Sequence, residues 1–229
     1  MTMTTYLPLY TKGKSNNWAA DPSCVFAPGL NKDGATFRSD DKYGHLCTKS
    51  GALWTPTGFY SDGVDDTVIA PYSSAFDFTT QYFTCCMWIY DLFAAQNANK
   101  FMFGFGSYAV GGWDFFANAG RYWFKTYESG SQKQSISNTG VCDLYKWHFL
   151  CATRTSKGVI YKDGINITAS SDTLYDPTSL PTRSLYVGSY SPSPIYSWYG
   201  YWALPKIFNR ALSQGEVCSI YDSEKSLFI

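Results

Sequence analysis

The amino-acid sequence predicts an all-β protein, a two-sheet antiparallel sandwich of jelly-roll type closed by one short C-terminal helix. Aromatic residues make up 19% of the chain and charged residues only 16%, with 19 Gly and 10 Pro. Rings suit pleated, half-buried surfaces, and Gly and Pro punctuate the turns between short strands. Short apolar runs recur with turn signals between them and almost no helical periodicity. The clearest run spans Trp147 to Thr168. There Trp147, Phe149 and Cys151 alternate with His148, Leu150 and Ala152, and a polar loop ends at Gly158. Asp163-Gly164 then marks a tight hairpin whose two central residues need positive φ. This meander is the expected centre of the fold, with Trp147 and Phe149 holding the two sheets together and His148 on the sheet surface.

Taken in order, residues 4–10 read as a first strand, with Pro8 placing it at a sheet edge. Residues 11–42 are polar and rich in Asn, Asp, Gly and Ser, which predicts an irregular segment suited to docking. Short strands follow at 44–48, 52–55, 58–61 and 67–70, with one helical turn at 73–76. Gln81 to Tyr90 is apolar on both faces, the pattern of a strand buried on both sides. Strands at 101–108, 113–117 and 121–127 are joined by Val110-Gly111-Gly112 and Asn118-Ala119-Gly120. A polar Ser- and Gln-rich stretch precedes the meander. Two more strands are predicted at 184–190 and 199–208. Ser213 and Glu216 then form a capping box for a helix over 213–221.

At 229 residues such a chain buries roughly 70% of its unfolded surface, and no linker interrupts it, so residues 1–229 are expected to form one domain. The formal net charge of zero removes the electrostatic footprint of a nucleic-acid partner. There is no apolar run long enough for membrane insertion. The start, Met-Thr-Met-Thr-Thr-Tyr, lacks the basic and apolar regions of a signal peptide, which predicts no export by the usual route. The seven cysteines are odd in number and include no C-x-x-C pair, which predicts mostly reduced, packed thiols. Cys85 and Cys86 should face opposite sides of one strand.

Four motifs follow one another in a familiar order. They are Phe59-Tyr60-Ser61-Asp62-Gly63-Val64-Asp65-Asp66-Thr67-Val68, then Phe83-Thr84-Cys85-Cys86-Met87-Trp88-Ile89. Trp147-His148-Phe149 with Tyr161-Lys162-Asp163-Gly164 comes third, and Leu185-Tyr186-Val187-Gly188 leading to Phe208-Asn209-Arg210-Ala211-Leu212-Ser213 comes last. Over residues 45–222 the chain resembles the laminin-G-like, concanavalin A-like jelly rolls of secreted, adhesive and phage proteins. The resemblance implies fold more than activity, because the matching residues turn and cap the chain.

Some relatives of that architecture are glucanases with paired carboxylates. This chain has no E-x-D-x-x-E strand, and His45 and His148 lie far apart, so the expectation is that it is not an enzyme. Asp62, Asp65 and Asp66 supply hard oxygen ligands in one turn and are the candidate calcium site. The segment Trp202-Ala203-Leu204-Pro205 lacks the acidic residue that the resemblance would place there, which weakens that site. Aromatic residues in loops, Trp18, Trp113, Tyr190, Tyr196, Trp198 and Tyr199, are the candidate ligand-binding set, because exposed rings stack on sugar faces. The expected role is a structural or adhesive protein on a larger assembly, in the first instance a virion surface of a phage. It would contact other structural proteins or itself, and candidate cell-surface glycans. The alternative is a soluble, extracellular lectin-like carbohydrate-binding module.

Overall fold

The computed structural model describes residues 18–30, 32–80, 82–92, 99–107, 110–190 and 196–229. The strand expected at 4–10 and the first part of the 11–42 segment lie outside the described residues. The elements open with a 3-10 turn at Trp18–Ala20, then β1 (Cys24–Phe26), β2 (Thr36–Arg38), β3 (Leu46–Ser50), β4 (Leu53–Thr55), β5 (Gly58–Asp62) and β6 (Thr67–Ala70). A 3-10 turn at Ser74–Phe76 leads to β7 (Phe83–Asp91), β8 (Lys100–Ser107), β9 (Gly111–Asn118), β10 (Arg121–Glu128) and β11 (Ser131–Ser137). The meander is β12 (Trp147–Arg154), β13 (Gly158–Lys162) and β14 (Ile165–Asn166). β15 (Thr168–Ser171), β16 (Leu185–Val187), β17 (Tyr199–Phe208) and α1 (Gln214–Glu224) complete the fold.

Two antiparallel sheets stack face to face. Sheet A runs β14-β13-β12-β7-β17-β5-β4 with β1 also on β17, and sheet B runs β15-β11-β10-β9-β8-β16-β6-β3-β2. This is the predicted jelly-roll sandwich. The capping box at Ser213 and Glu216 is formed, and so is the Ser73-capped turn. Asp163 and Gly164 have φ of 53° and 80°, as a type I′ turn requires. All seven cysteines are free, and burial pushes the thiols of Cys24 and Cys47 up to about 12. Cys85 faces the space between the sheets and Cys86 the opposite side, as alternation demands.

Three expectations need correction. The segment from Trp18 to Lys42 is not irregular throughout: it carries β1 and β2, and β1 pairs with β17. The polar stretch before the meander forms β11, hydrogen-bonded to β10 over six register pairs and to β15 on its other side; Ile136 is its one apolar side chain, and the backbone pairs on both sides hold a strand that is otherwise polar. The meander alternates as predicted, but with its faces exchanged. Leu150 and Ala152 point into the core between the sheets, whereas Trp147 and Phe149 point outward beneath α1. His148 is therefore on the inner side, nearly buried, held between Asp163 (Nδ1 to Oδ2, 2.7 Å) and Asp143 (Nε2 to Oδ2, 3.3 Å).

The inversion follows from what covers sheet A. α1 and the chain end pack Val217, Ile220, Leu227 and Phe228 onto Trp88, Phe149, Cys151 and Phe208, forming a second apolar layer. Both faces of β7 and β12 are thus apolar. A buried Lys206–Glu224 ion pair at 2.6 Å pins α1 to this face, and the Trp88 Nε1 donates to Glu224 at 2.9 Å.

Candidate functional site

The acidic turn and the aromatic loop, far apart in sequence, meet at one rim of the sandwich. Tyr199 is the register partner of Asp62 across β17 and β5. The Ser197 hydroxyl donates to the Val64 carbonyl at 2.9 Å, and Tyr196 accepts from the Phe101 N–H at 2.8 Å. Tyr190 stands edge-on to Phe101 at 5.3 Å. The rim is thereby continuous with the outer face of sheet B.

The predicted aromatic set divides once it is placed. Tyr196 is 51% exposed, while Tyr190 and Tyr199 are half-buried. Trp113 and Trp198 are each 1% exposed, and both rings belong to the core between the sheets. They were expected as ligand-binding residues, and their burial leaves no ring face for a ligand. Trp113 is inward because it alternates with Asp114 on a strand whose inner side carries Phe115 and Ala117 in the same core. Trp18 is half-buried against Phe208 at 6.2 Å, under the sheet A layer and away from the rim.

Carboxylate oxygens of Asp62, Asp65 and Asp66 lie within 4.8 Å of one another. Two of these carboxylates already serve the turn. Asp66 Oδ2 accepts the Asp62 N–H at 2.7 Å, and Asp62 Oδ1 accepts the Val64 N–H at 2.8 Å. Asp66 Oδ1 occupies the space that a Cβ on Gly51 would take. Burial raises the Asp66 carboxyl, and the charges of Asp62 and Asp65 raise it further against the lowering Asp62 N–H bond. Calcium takes six to eight oxygens, of which Asp62 and Asp65 would supply the free carboxylate ones. The donor chemistry fits, with Asp66 mainly a turn organiser.

The outer face of sheet B carries residues that the sequence did not single out as a site. Phe101, Phe116 and Tyr186 form a separate apolar cluster there, flanked by Ile69, Trp123 and Tyr190. Beside it lies a depression lined by Gly104, Gly106, Asp114, Tyr127, Tyr186 and Tyr190 among others, with a volume of about 10 Å³. Asp114 stands between Gly104 of β8 and Lys125 of β10 in register. Its Oδ2 accepts the Tyr127 hydroxyl at 2.6 Å, and its Oδ1 is buried without a hydrogen-bond partner. Burial pushes this carboxyl up to about 6, against the Tyr127 bond and the Lys125 charge, which both lower it. The only sequence signal was a lone Asp alternating outward in an aromatic strand.

Sheet A has an aromatic array of its own. Leu53, Tyr60, Tyr201, Tyr90 and Trp147 are successive cross-strand partners across β4, β5, β17, β7 and β12. Neighbouring rings from Tyr60 to Trp147 lie 5.2 to 5.9 Å apart. No carboxylate belongs to this row.

These features define a lectin-like β-sandwich. The profile of the concanavalin A-like lectin/glucanases superfamily matches residues 62–218, and the chain belongs to that superfamily. No curated protein matches it. Among solved structures, it is similar to a Trypanosoma rangeli sialidase at 15% identity and a TM-score of 0.67, covering 90% of this chain and 33% of that one. It is also similar to the receptor-binding domain of botulinum neurotoxin C/D mosaic serotype, at 13% identity and a TM-score of 0.69, covering 88% of this chain and 51% of that one. The chain thus spans a third to a half of these proteins, and at such identity the likeness concerns the fold. The expectation that the chain is not an enzyme is corrected by these matches. The sandwich recurs within sialidases, including a mutant with trans-sialidase activity, so lacking one glucanase motif is no ground for excluding catalysis.

Proposed function

We propose that the protein is a carbohydrate-recognition module of adhesive type, working as part of a larger assembly. The observation that carries this reading is the convergence of the loop ending at Tyr196–Tyr199, the acidic turn Asp62–Asp66 and the aromatic face of sheet B into one surface. Rings with hydroxyls beside acceptor carboxylates suit a ligand with an apolar C–H face and a polar edge. A sialidase in complex with sialic acid and a toxin's receptor-binding domain are compatible with this use of the fold. They also carry the sandwich as only part of a longer chain, in line with display on an assembly. A virion surface, other structural proteins as neighbours, and a calcium ion held by Asp62 and Asp65 belong to the same proposal.

A glycan array combined with mass photometry tests it. Micromolar-to-millimolar binding to a defined glycan set supports the reading. A chain that binds no glycan and only oligomerises would replace it with a purely structural role.

A further inference from the structure

We infer that Cys86 and Cys151 are a disulfide site, a covalent latch between β7 and β12 that closes when the chain folds in the presence of an oxidising disulfide and is then sealed beneath α1. The latch is independent of glycan recognition.

Cys151 and Cys86 are direct register partners across β12 and β7. Both are fully buried in the apolar layer that α1 covers. The backbone fixes which kind of pair they make. The Asp163 N–H donates to the Phe149 carbonyl at 2.8 Å, so Phe149 directs its backbone groups to the β13 side. Cys151, two residues on, does the same toward Tyr161. Toward β7, Cys151 and Cys86 are therefore a non-hydrogen-bonded pair, with Cα atoms about 4.5 Å apart in regular antiparallel geometry. That separation lies within the range a disulfide spans, about 4.4–6.8 Å, and both side chains leave the sheet on the same face.

The other cysteines lack this placement. Cys85 points into the core opposite Ala152. Cys24 is on β1, with β17 between it and β7, so two strand spacings, roughly 9–10 Å, separate it from Cys86. Cys47 belongs to sheet B, Cys142 precedes β12, and Cys218 sits on α1 against the Gly164 carbonyl.

In the folded chain, burial and the hydrogen bond with Cys86 push the Cys151 thiol well above its usual range, which suppresses the thiolate that exchange requires. The reactive moment comes before α1 docks, while this face of sheet A is open. One cysteine thiolate then attacks a small-molecule disulfide, here oxidised glutathione, forming a mixed disulfide and releasing one glutathione thiolate. The second cysteine attacks the protein sulfur of that mixed disulfide, forming the Cys86–Cys151 bond and releasing the other. Two electrons pass from the protein dithiol to glutathione disulfide, and the two thiol protons end on two molecules of reduced glutathione.

The test unfolds and reduces the full chain, refolds it in reduced or in oxidised glutathione, alkylates the remaining thiols and maps linked peptides by mass spectrometry. We expect the Cys86–Cys151 peptide pair to dominate the oxidised sample and to be missing from the reduced one. Cys24→Ala should leave it in place and Cys86→Ala should abolish it. Folded dithiol protein given the same oxidised glutathione should form the bond about tenfold or more slowly. Where the chain does not refold, the same map is read on protein made in the bacterial cytosol and on protein sent to the periplasm by an added signal peptide. Oxidised, folded protein in which both cysteines are alkylated, or are paired chiefly elsewhere, overturns the site. Equal rates in the folded and refolding chain overturn the sealing by α1.

Discussion

The two outer faces of the sandwich each bury an acid beneath aromatic rings, and they treat it in opposite ways. On sheet A, Glu224 is locked by Lys206 at 2.6 Å and by the Trp88 indole at 2.9 Å, with α1 sealing the layer. On sheet B, Asp114 has the Tyr127 hydroxyl and an oxygen with no partner, and no helix among the described residues lies over it. A buried charge with its counterion in contact belongs to the architecture. On sheet B the buried carboxyl keeps one oxygen unpaired, beside rings that are themselves nearly buried. The difference separates the face to which α1 is pinned by an ion pair from the face on which a carboxyl is left half-satisfied.

Removing the lysine on sheet A should have the largest effect. Lys206→Ala strands Glu224 without its cation, and loss of one partner from a buried pair typically costs about 3–5 kcal/mol. Chemical denaturation measures this directly, and a loss under about 1 kcal/mol would mean that water reaches the pair and the contrast between faces is weaker than drawn.

On sheet B the corresponding change should stabilise. The folded-state pKa of Asp114 is raised to about 6, above an unfolded value near 3.9. The folded state then holds more protons between those values, so stability falls as pH rises through this window and stays lower above it. Asp114→Asn should abolish that slope and gain about 3 kcal/mol at pH 7.5. Thermal melts from pH 4 to 8 check it, and parallel pH profiles for wild type and variant would show that Asp114 titrates normally.

A smaller effect belongs to the cap that starts α1. Ser213→Ala removes the hydroxyl that accepts the Glu216 N–H at 3.3 Å, with an expected loss of about 1 kcal/mol. Millimolar calcium should shift the melting temperature by a few degrees at most through Asp62 and Asp65. Identical melts in calcium and in chelator would remove the cation from the rim.

Local features were readable in the sequence where a few adjacent residues decide the outcome. Asp163-Gly164 turns as expected because only positive φ closes that hairpin. Ser213 caps because Glu216 lies three residues on. The inside and outside of the meander were not readable. Trp147-His148-Phe149-Leu150 is apolar on both faces once α1 covers one of them, so alternation gave the period without the sign. The site was harder still. Tyr196 announced itself by its loop, but Asp114 is made unusual by Tyr127, Tyr186 and Gly104 from three strands. Trp113 and Trp198 misled because loop-like neighbours do not determine where a large ring packs.

The most direct test of the proposed recognition surface is a map of backbone amide shifts by NMR during titration with an oligosaccharide selected on the array. The account predicts perturbations gathered over Asp62–Asp66, Tyr186–Tyr190 and Tyr196–Tyr199. Perturbations centred instead on Tyr60, Tyr90, Trp147 and Tyr201 would contradict it, placing recognition on sheet A.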